Sequence, residues 1–182
     1  MTHWLAAASV GALVVSGIAI LLAHPRLYWG EVGTAGMPSL IDLPLPLVLT
    51  GQTGWGRSLH FLSAWTMVLT GAVYVVGGMR RAHFRWPFYT PFQRGTYTVV
   101  VFVLLPLMIW TGLAMSPAIV SVVPVIVSVL GGHQSARTIH FVVASALVAF
   151  VVGHVAMVVV AGFRPYVGAM ITGDLPVRKE VA

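Results

Sequence analysis

The chain has 182 residues, of which 58% are hydrophobic and only 8% are charged. Soluble domains carry about 25% charged residues, so this composition excludes a soluble globular protein and indicates an integral membrane protein. The formal net charge is +6, but the basic residues lie in short loops between apolar stretches. Membrane topology explains that charge, and no nucleic-acid partner is expected. The absence of cysteine excludes disulfides and cysteine-ligated metal sites.

Four apolar stretches are long enough to cross a bilayer, which takes about 20 helical residues. They cover about residues 4–23, 55–78, 95–115 and 137–163. Pro106 predicts a kink in the third stretch. The apolar segment 117–131 contains Pro124 and is too short to span, so it is predicted to be re-entrant or interfacial. The predicted fold class is therefore all-α, an integral membrane four-helix bundle formed by residues 1–182 as a single domain.

The connection after the first predicted span begins with His24-Pro25, which ends the helix. Tyr28 and Trp29 follow and are typical of an aromatic belt at the membrane interface. The remaining connection up to Thr53 is rich in glycine and proline and is predicted to lie over the end of the bundle. Loop or surface roles are expected for three histidines: His24, His83 and His133.

Charge predicts the orientation of the four spans. The 79–94 loop and both termini share one side of the membrane. That side carries seven basic residues: Arg80, Arg81, Arg85, Arg94, Arg164, Arg178 and Lys179. The other side carries three: Arg26, Arg57 and Arg137. The positive-inside rule then predicts that both termini are cytoplasmic.

The fourth span carries two histidines, His140 and His154, separated by fourteen residues. A helix places them roughly 21 Å apart along its axis and about 40° apart around it, so they share one face at opposite depths. In the predicted orientation His60 lies at the outer depth with His140, and His3 lies at the inner depth with His154. Ionisable residues inside membrane helices are costly and indicate function. Two pairs of neutral imidazoles without a thiolate suit two non-covalent bis-histidine b haems.

Arginines and glycines around the predicted outer pair fit the same interpretation. Arg57 and Arg137 each precede an outer histidine by three residues, one turn nearer the surface, where the propionates of an outer haem would emerge. Gly17 and Gly71 lie near the histidine-bearing faces of the first two spans, where they give clearance to the haem that their helix does not ligate. Other roles stay open, since arginines also anchor helices at the interface and glycines also pack membrane helices closely.

The chain contains the stretches AHPRLYWGE, YTPFQRGTY, LPLMIWTGLAMSP and GGHQSARTIHF. They resemble the thiosulfate reductase cytochrome b subunit-like membrane anchors, which belong to the wider bacterial cytochrome b-561 and formate dehydrogenase gamma-subunit group. The resemblance covers nearly the whole chain. It implies a four-helix bundle of the bacterial inner membrane with two b haems, which exchanges electrons between a quinone pool and a periplasmic redox subunit, often a molybdopterin enzyme.

The resemblance also implies the haem ligands, because the wider group uses one histidine in each of the first two helices and two in the fourth. These positions match His3, His60, His140 and His154. The chain departs from the family before His3, since only two residues precede it and the family usually has a basic segment there.

The sequence is thus interpreted as an electron-transfer subunit of a quinone-linked oxidoreductase. By analogy with the wider group, quinone is placed near the inner haem, with polar contacts from Gln93, Arg94 and Tyr97. Two alternatives stay open: a stand-alone superoxide:quinone oxidoreductase of the cytochrome b-561 type, and a transporter that uses the histidines for metal ions or protons. The predicted spans contain no Asp or Glu, which intramembrane relays usually carry.

Overall fold

A computed structural model of the protein describes residues 2–34, 36–44, 53–80 and 91–172. In chain order, the elements are α1 (Thr2–Ala23), β1 (Arg26–Leu27), β2 (Ile41–Asp42), α2 (Thr53–Arg80), α3 (Pro91–Val99), a π-helical turn (Val100–Leu104), α4 (Leu105–Ala114), α5 (Pro117–Val120), α6 (Val125–Ser128) and α7 (His133–Thr172). The third span combines α3, the π-helical turn and α4. Four helices in the described ranges are long and apolar enough to cross a membrane, as predicted. The chain divides into one unit up to Phe141 and a second from Val142.

The two short strands were not predicted. Strands β1 and β2 pair antiparallel, with Arg26 opposite Asp42, and the side chains of these two residues form an exposed ion pair at 3.1 Å. This pairing brings residues 26–27 next to residues 41–42 within the connection after α1. All other regular elements in the described residues are helices.

Helices α1 and α2 approach closely at Gly56. A Cβ atom at this position would lie 3.3 Å from Cβ of Ala19 and 3.5 Å from the carbonyl oxygen of Ser16. Small residues allow such backbone contact between membrane helices. This close approach sets the first turn of α2 against Ser16, one turn before His60.

The third span is irregular just before Pro106. The π-helical turn Val100–Leu104 precedes α4, in which Pro106 is the second residue. Proline lacks an N–H, and its ring crowds the carbonyl four residues earlier, which a locally wider turn relieves. The irregularity predicted at Pro106 therefore takes the form of a π-helical turn.

The segment between α4 and α7 contains two helices of four residues each, far too short to cross a bilayer. The indole N–H of Trp110 donates to the carbonyl of Ile126 at 3.0 Å. A small buried core of Ala114, Val127 and Ala136 joins the segment to the end of α4 and the start of α7.

The loop of residues 24–31 packs against the start of α7. The Gly30 carbonyl accepts hydrogen bonds from the backbone N–H groups of Gln134 at 3.0 Å and Ser135 at 3.2 Å, and the Gly30 N–H donates to Ser135 Oγ at 2.7 Å. Thr138 Oγ1 donates to the Tyr28 carbonyl at 2.6 Å. Orphan N–H groups of the helix start are thus satisfied by a remote segment. Tyr28 is buried, with its ring beside Gly33, and its predicted belt position stays a prediction.

Two glycines make this packing possible. Gly131 and Gly132 have φ values of 83° and 111°, which side-chain-bearing residues rarely adopt. A Cβ atom on Gly132 would lie 2.6 Å from both the Gly30 carbonyl oxygen and Glu31 Oε2. Glu31 in turn accepts a hydrogen bond from the His133 backbone N–H at 3.2 Å and places Oε1 3.7 Å from His133 Nε2.

In the second unit, α7 bends at Gly162. Its φ of 118° and ψ of 91° are not helical, and Pro165 follows three residues later. The predicted span ends at 163, close to this bend. The helix then continues to Thr172, beyond the predicted end.

Candidate functional site

The structure brings His60 and His140 together, as the predicted depths require. Their ring centroids lie 6.2 Å apart, with an angle of 59° between the ring planes. Two imidazoles that bind one metal ion through Nε2 from opposite sides, with metal–nitrogen bonds of about 2.0 Å, have ring centres about 6.3 Å apart. The pair therefore fits a single metal ion between the rings.

A serine on α1 determines which nitrogen of His60 carries the proton. Ser16 Oγ lies 3.0 Å from His60 Nδ1 and donates its own hydrogen to the Ala12 carbonyl at 2.7 Å. A hydroxyl has one hydrogen, so Ser16 accepts a hydrogen bond from the Nδ1–H of His60. The Nε2 atom then carries the lone pair and is the nitrogen available to a metal.

A threonine on α4 does the same for His140. Thr111 Oγ1 lies 2.9 Å from His140 Nδ1 and donates to the Leu107 carbonyl at 2.9 Å. Ser16 and Thr111 are both completely buried. The two histidines are thus held in the same tautomer by the same kind of contact from different helices.

Glycines follow both hydroxyl residues in the sequence. A Cβ atom on Gly17 would lie 3.7 Å from His60 Cε1, and one on Gly112 would lie 3.6 Å from His140 Cε1. Gly17 therefore faces the histidine pair, where clearance was predicted. Gly112 holds the equivalent place beside His140 and was missed. We call the six residues His60, His140, Ser16, Gly17, Thr111 and Gly112 the paired site.

Both predicted arginines lie one turn from the histidines of the paired site. Arg57 is exposed in the first turns of α2, and Arg137 is half-buried in α7. Arg137 Nη2 donates to the backbone carbonyl of His24, at the end of α1. Partial burial, and then the positive charges of Arg137 and Arg57, lower the pKa of His24 below its ordinary value. His24 thus lies near these two arginines. Its loop position in the sequence did not indicate this proximity.

The described residues contain no larger cluster of metal-binding side chains around the histidine pair. Within the described residues, no group of three or more His, Cys, Asp or Glu side chains is arranged to hold a metal ion. A metal held only by His60 and His140 would need additional ligands from outside the protein. A porphyrin supplies four nitrogens in the plane between two axial imidazoles, so the donor set fits a bis-histidine haem.

The other two predicted ligands lie in separate units. His3 is exposed in the first turn of α1, with its ring edge-on to Trp4 at 5.6 Å. His154 is half-buried in the second unit, with its ring stacked on Phe150 at 6.0 Å. Their predicted pairing stays a prediction.

The remaining predicted site residues lie away from the paired site in sequence. A Cβ atom on Gly71 would have no atom within 4 Å, so this position is open in the structure. Gln93 and Tyr97 are half-buried and Arg94 is exposed, all in the first two turns of α3. Their predicted contact with quinone stays a prediction.

Comparison with known proteins gives one family match. The sequence model of the prokaryotic cytochrome b561 family matches residues 1–173. A protein of Azospira oryzae is 28% identical over 190 aligned positions, covering 87% of this chain and 86% of that protein. Its name describes it as a candidate protein-methionine-sulfoxide reductase subunit, YedZ1. No solved structure matches the chain significantly.

Proposed function

Since the chain belongs to the prokaryotic cytochrome b561 family of multi-pass inner-membrane electron-transfer proteins that bind haem b, we propose that it links a quinone pool to a periplasmic redox partner through two haems. The observation that carries this proposal is the His60–His140 pair, with ring centroids 6.2 Å apart. A centroid separation of about 6.3 Å is expected for two imidazoles on one iron.

His60 and His140 are the proposed axial ligands of the outer haem. When bound, haem supplies one-electron chemistry through its iron. The chain contributes the two Nε2 lone pairs, and Ser16 and Thr111 keep the protons on the opposite ring nitrogens. Ligands that are already in the correct tautomer need no proton rearrangement when haem binds.

Arg57 and Arg137 are the proposed partners of the propionates of this haem. Each lies one turn from its ligand histidine and lowers the pKa of His24, so the positive charges act on one small region. Propionates carry negative charge, and Arg binds carboxylates through paired hydrogen bonds. Gly17 is the proposed clearance residue for the paired site, and Gly71 stays the proposed clearance residue for the inner haem.

His3 and His154 are the proposed ligands of the inner haem. Their positions match the ligand positions of the wider group that the sequence resembles. Both residues are outside the paired site, and the pairing of His60 with His140 does not depend on them.

The proposed orientation places both termini in the cytoplasm and the paired site near the periplasm. It is supported by the excess of arginine and lysine on the predicted cytoplasmic side. Quinone is proposed to bind near the inner haem, with Gln93, Arg94 and Tyr97 at the start of α3 as its polar contacts.

The proposal includes a redox partner in the periplasm. It is supported by the resemblance to membrane anchors of molybdopterin enzymes and by the name of the Azospira oryzae relative as a candidate reductase subunit. The segment 116–132 is the proposed docking surface together with the 26–53 connection. Within that segment Val122 is 78% exposed and Val129 is 63% exposed.

A stand-alone superoxide:quinone oxidoreductase is the second candidate. The observation that favours it is the positive charge of Arg57 and Arg137 beside the paired site, since positive charge attracts anions. Quinone reduction by superoxide in the isolated protein would support this alternative, and co-purification of a periplasmic subunit would support the anchor. Membership of a haem b family favours electron transfer over the transporter interpretation.

The test is the haem content of purified histidine variants, measured as pyridine haemochrome per chain. We expect two haems in the unchanged protein and one in His60→Ala or His140→Ala, with His154→Ala losing the other haem. His133→Ala is the matched control, because His133 lies on α7 and is not a proposed ligand; it should keep both haems. Two haems in both His60→Ala and His140→Ala would contradict the pairing.

A further inference from the structure

We propose that Ser16 and Thr111 are positioning residues that hold the imidazoles of His60 and His140 and thereby lower the reduction potential of the haem between them. This inference rests on the proposed assignment of a haem to the paired site. Neither residue was singled out by its sequence pattern, and both act through a histidine.

Each of the two hydroxyl groups bonds both to its own helix and to a histidine ring. Ser16 and Thr111 are completely buried, and each donates to carbonyls of its own helix. Serine and threonine in helices often make this backbone bond alone. Here the remaining lone pairs point across a helix–helix contact to an Nδ1 atom, at 3.0 Å from Ser16 and 2.9 Å from Thr111.

A hydrogen bond donated by the Nδ1–H group changes the ligand electronically. It draws the proton away from the ring and makes Nε2 a stronger electron donor. A stronger donor stabilises ferric over ferrous iron, so the reduction potential falls. A neutral hydroxyl has a milder effect than a carboxylate, and no carboxylate contacts either histidine among the described residues. Removal of either hydroxyl should therefore raise the potential of this haem.

The same contacts fix the ring planes. Each ring is held at Nδ1 by a hydroxyl and has a glycine beside Cε1, where a Cβ would be in ordinary contact at 3.6 to 3.7 Å. The resulting angle between the two ring planes is 59°. In low-spin ferric haem the largest g value in electron paramagnetic resonance depends on the angle between the axial imidazole planes. That spectrum therefore reports a rotation of either ring.

The experiment compares four variants of the full-length holoprotein. Thr111→Val and Ser16→Ala remove the hydroxyls, while Thr111→Ser keeps one in place. Thr66→Val is the matched control, because Thr66 Oγ1 donates only to the Leu62 carbonyl of its own helix, at 2.9 Å. Haem content, the midpoint potential of each haem and the g values are measured for each.

We expect Thr111→Val and Ser16→Ala to raise the midpoint potential of one haem, to shift its largest g value and to leave the other haem unchanged. Thr111→Ser and Thr66→Val should match the unchanged protein. If Thr111→Val loses the haem while Thr111→Ser keeps it, the hydroxyl is required for ligation and the inference stands.

Two results would overturn the inference. One is a Thr111→Val protein that matches Thr66→Val in potential and g values. The other is a Thr111→Ser protein that changes as much as Thr111→Val, or loses the haem with it, because packing and not the hydroxyl would then be responsible. Either result leaves the proposed function intact as long as His60→Ala and His140→Ala each lose one haem. Retention of both haems in those histidine variants would instead contradict the proposed function itself.

Discussion

Substitution of Gly132 by alanine gives a direct measure of how strongly the 24–31 loop is held to α7. The backbone at Gly132 has a φ of 111°. An added Cβ would lie 2.6 Å from the Gly30 carbonyl oxygen and 2.7 Å from the Gly30 carbonyl carbon. These are backbone atoms, so the collision cannot be relieved by the rotation of a side chain. The loop has to move away from the helix start.

The cost has two parts. An alanine at positive φ costs roughly 1–2 kcal/mol. Displacement of the loop also breaks the three hydrogen bonds by which Gly30 and Glu31 accept from the first N–H groups of α7. Each contributes about 1 kcal/mol to stability. We therefore expect Gly132→Ala to reduce the free energy of unfolding by roughly 4–5 kcal/mol.

Gly131→Ala is the matched control for this prediction. Gly131 also has a positive φ, of 83°, but its Cβ would meet Ser135 Oγ at 3.3 Å, and that side chain can adjust. Its expected cost is the backbone strain, about 1–2 kcal/mol, and at most a weakening of the single bond from the Gly30 N–H to Ser135 Oγ. Unfolding by denaturant in mixed micelles, followed by far-ultraviolet circular dichroism, measures both. Equal losses in the two variants would refute the claim that the loop contact contributes separately.

Two further predictions concern residues near the ends of the helices. Burial, and then the charges of Arg137 and Arg57, lower the pKa of His24 from 6.5, so the unfolded chain binds more protons than the folded chain at low pH. The free energy of unfolding should therefore fall as the pH drops below 6.5. His24→Gln should flatten this part of the dependence of stability on pH, and an unchanged slope would contradict the prediction. Trp110→Phe removes the indole N–H that donates to the Ile126 carbonyl, so backbone hydrogen exchange in segment 116–132 should become faster. Equal exchange rates in the variant and the unchanged protein would show that this bond does not hold the segment.

The meeting of His60 and His140 could be predicted because it depends on general rules. Helical rise gives the depth of each histidine, and the direction of each span decides which histidines share a depth. Neither step requires knowledge of side-chain contacts. The arginines one turn away follow from the same counting.

The hydroxyl partners could not be predicted because they depend on rotation between helices. Thr111 follows the π-helical turn Val100–Leu104, where one turn contains more residues than an α-helical turn. Residues after such a turn face a different direction from that given by a continuous period of 3.6. Only the structure shows that Thr111 faces His140 and that Gly112 lies beside its ring. Ser16 similarly depends on the close approach of α1 and α2 at Gly56.

The position of His24 was missed for a related reason. As a residue of a loop it carries no periodic signal, and its neighbours Arg57 and Arg137 are distant in sequence. The bond from Arg137 to its carbonyl connects the end of α1 to the same turn of α7 that leads to His140. The bond from Thr138 to the Tyr28 carbonyl was missed for the same reason, since Thr138 lies in the adjacent position of α7.

These contacts together support the proposed electron-transfer role of the paired site. A haem exchanges electrons rapidly when its ligands keep the same geometry in both oxidation states, because little reorganisation is then needed. His60 is held through Ser16 on α1, and His140 through Thr111 on α4 and through the attachment of the start of α7 to the 24–31 loop. The two proposed ligands are thus held by three other segments of the chain: α1, α4 and the 24–31 loop. A site of this kind favours one ligand geometry in both oxidation states, which is the property that a one-electron carrier requires.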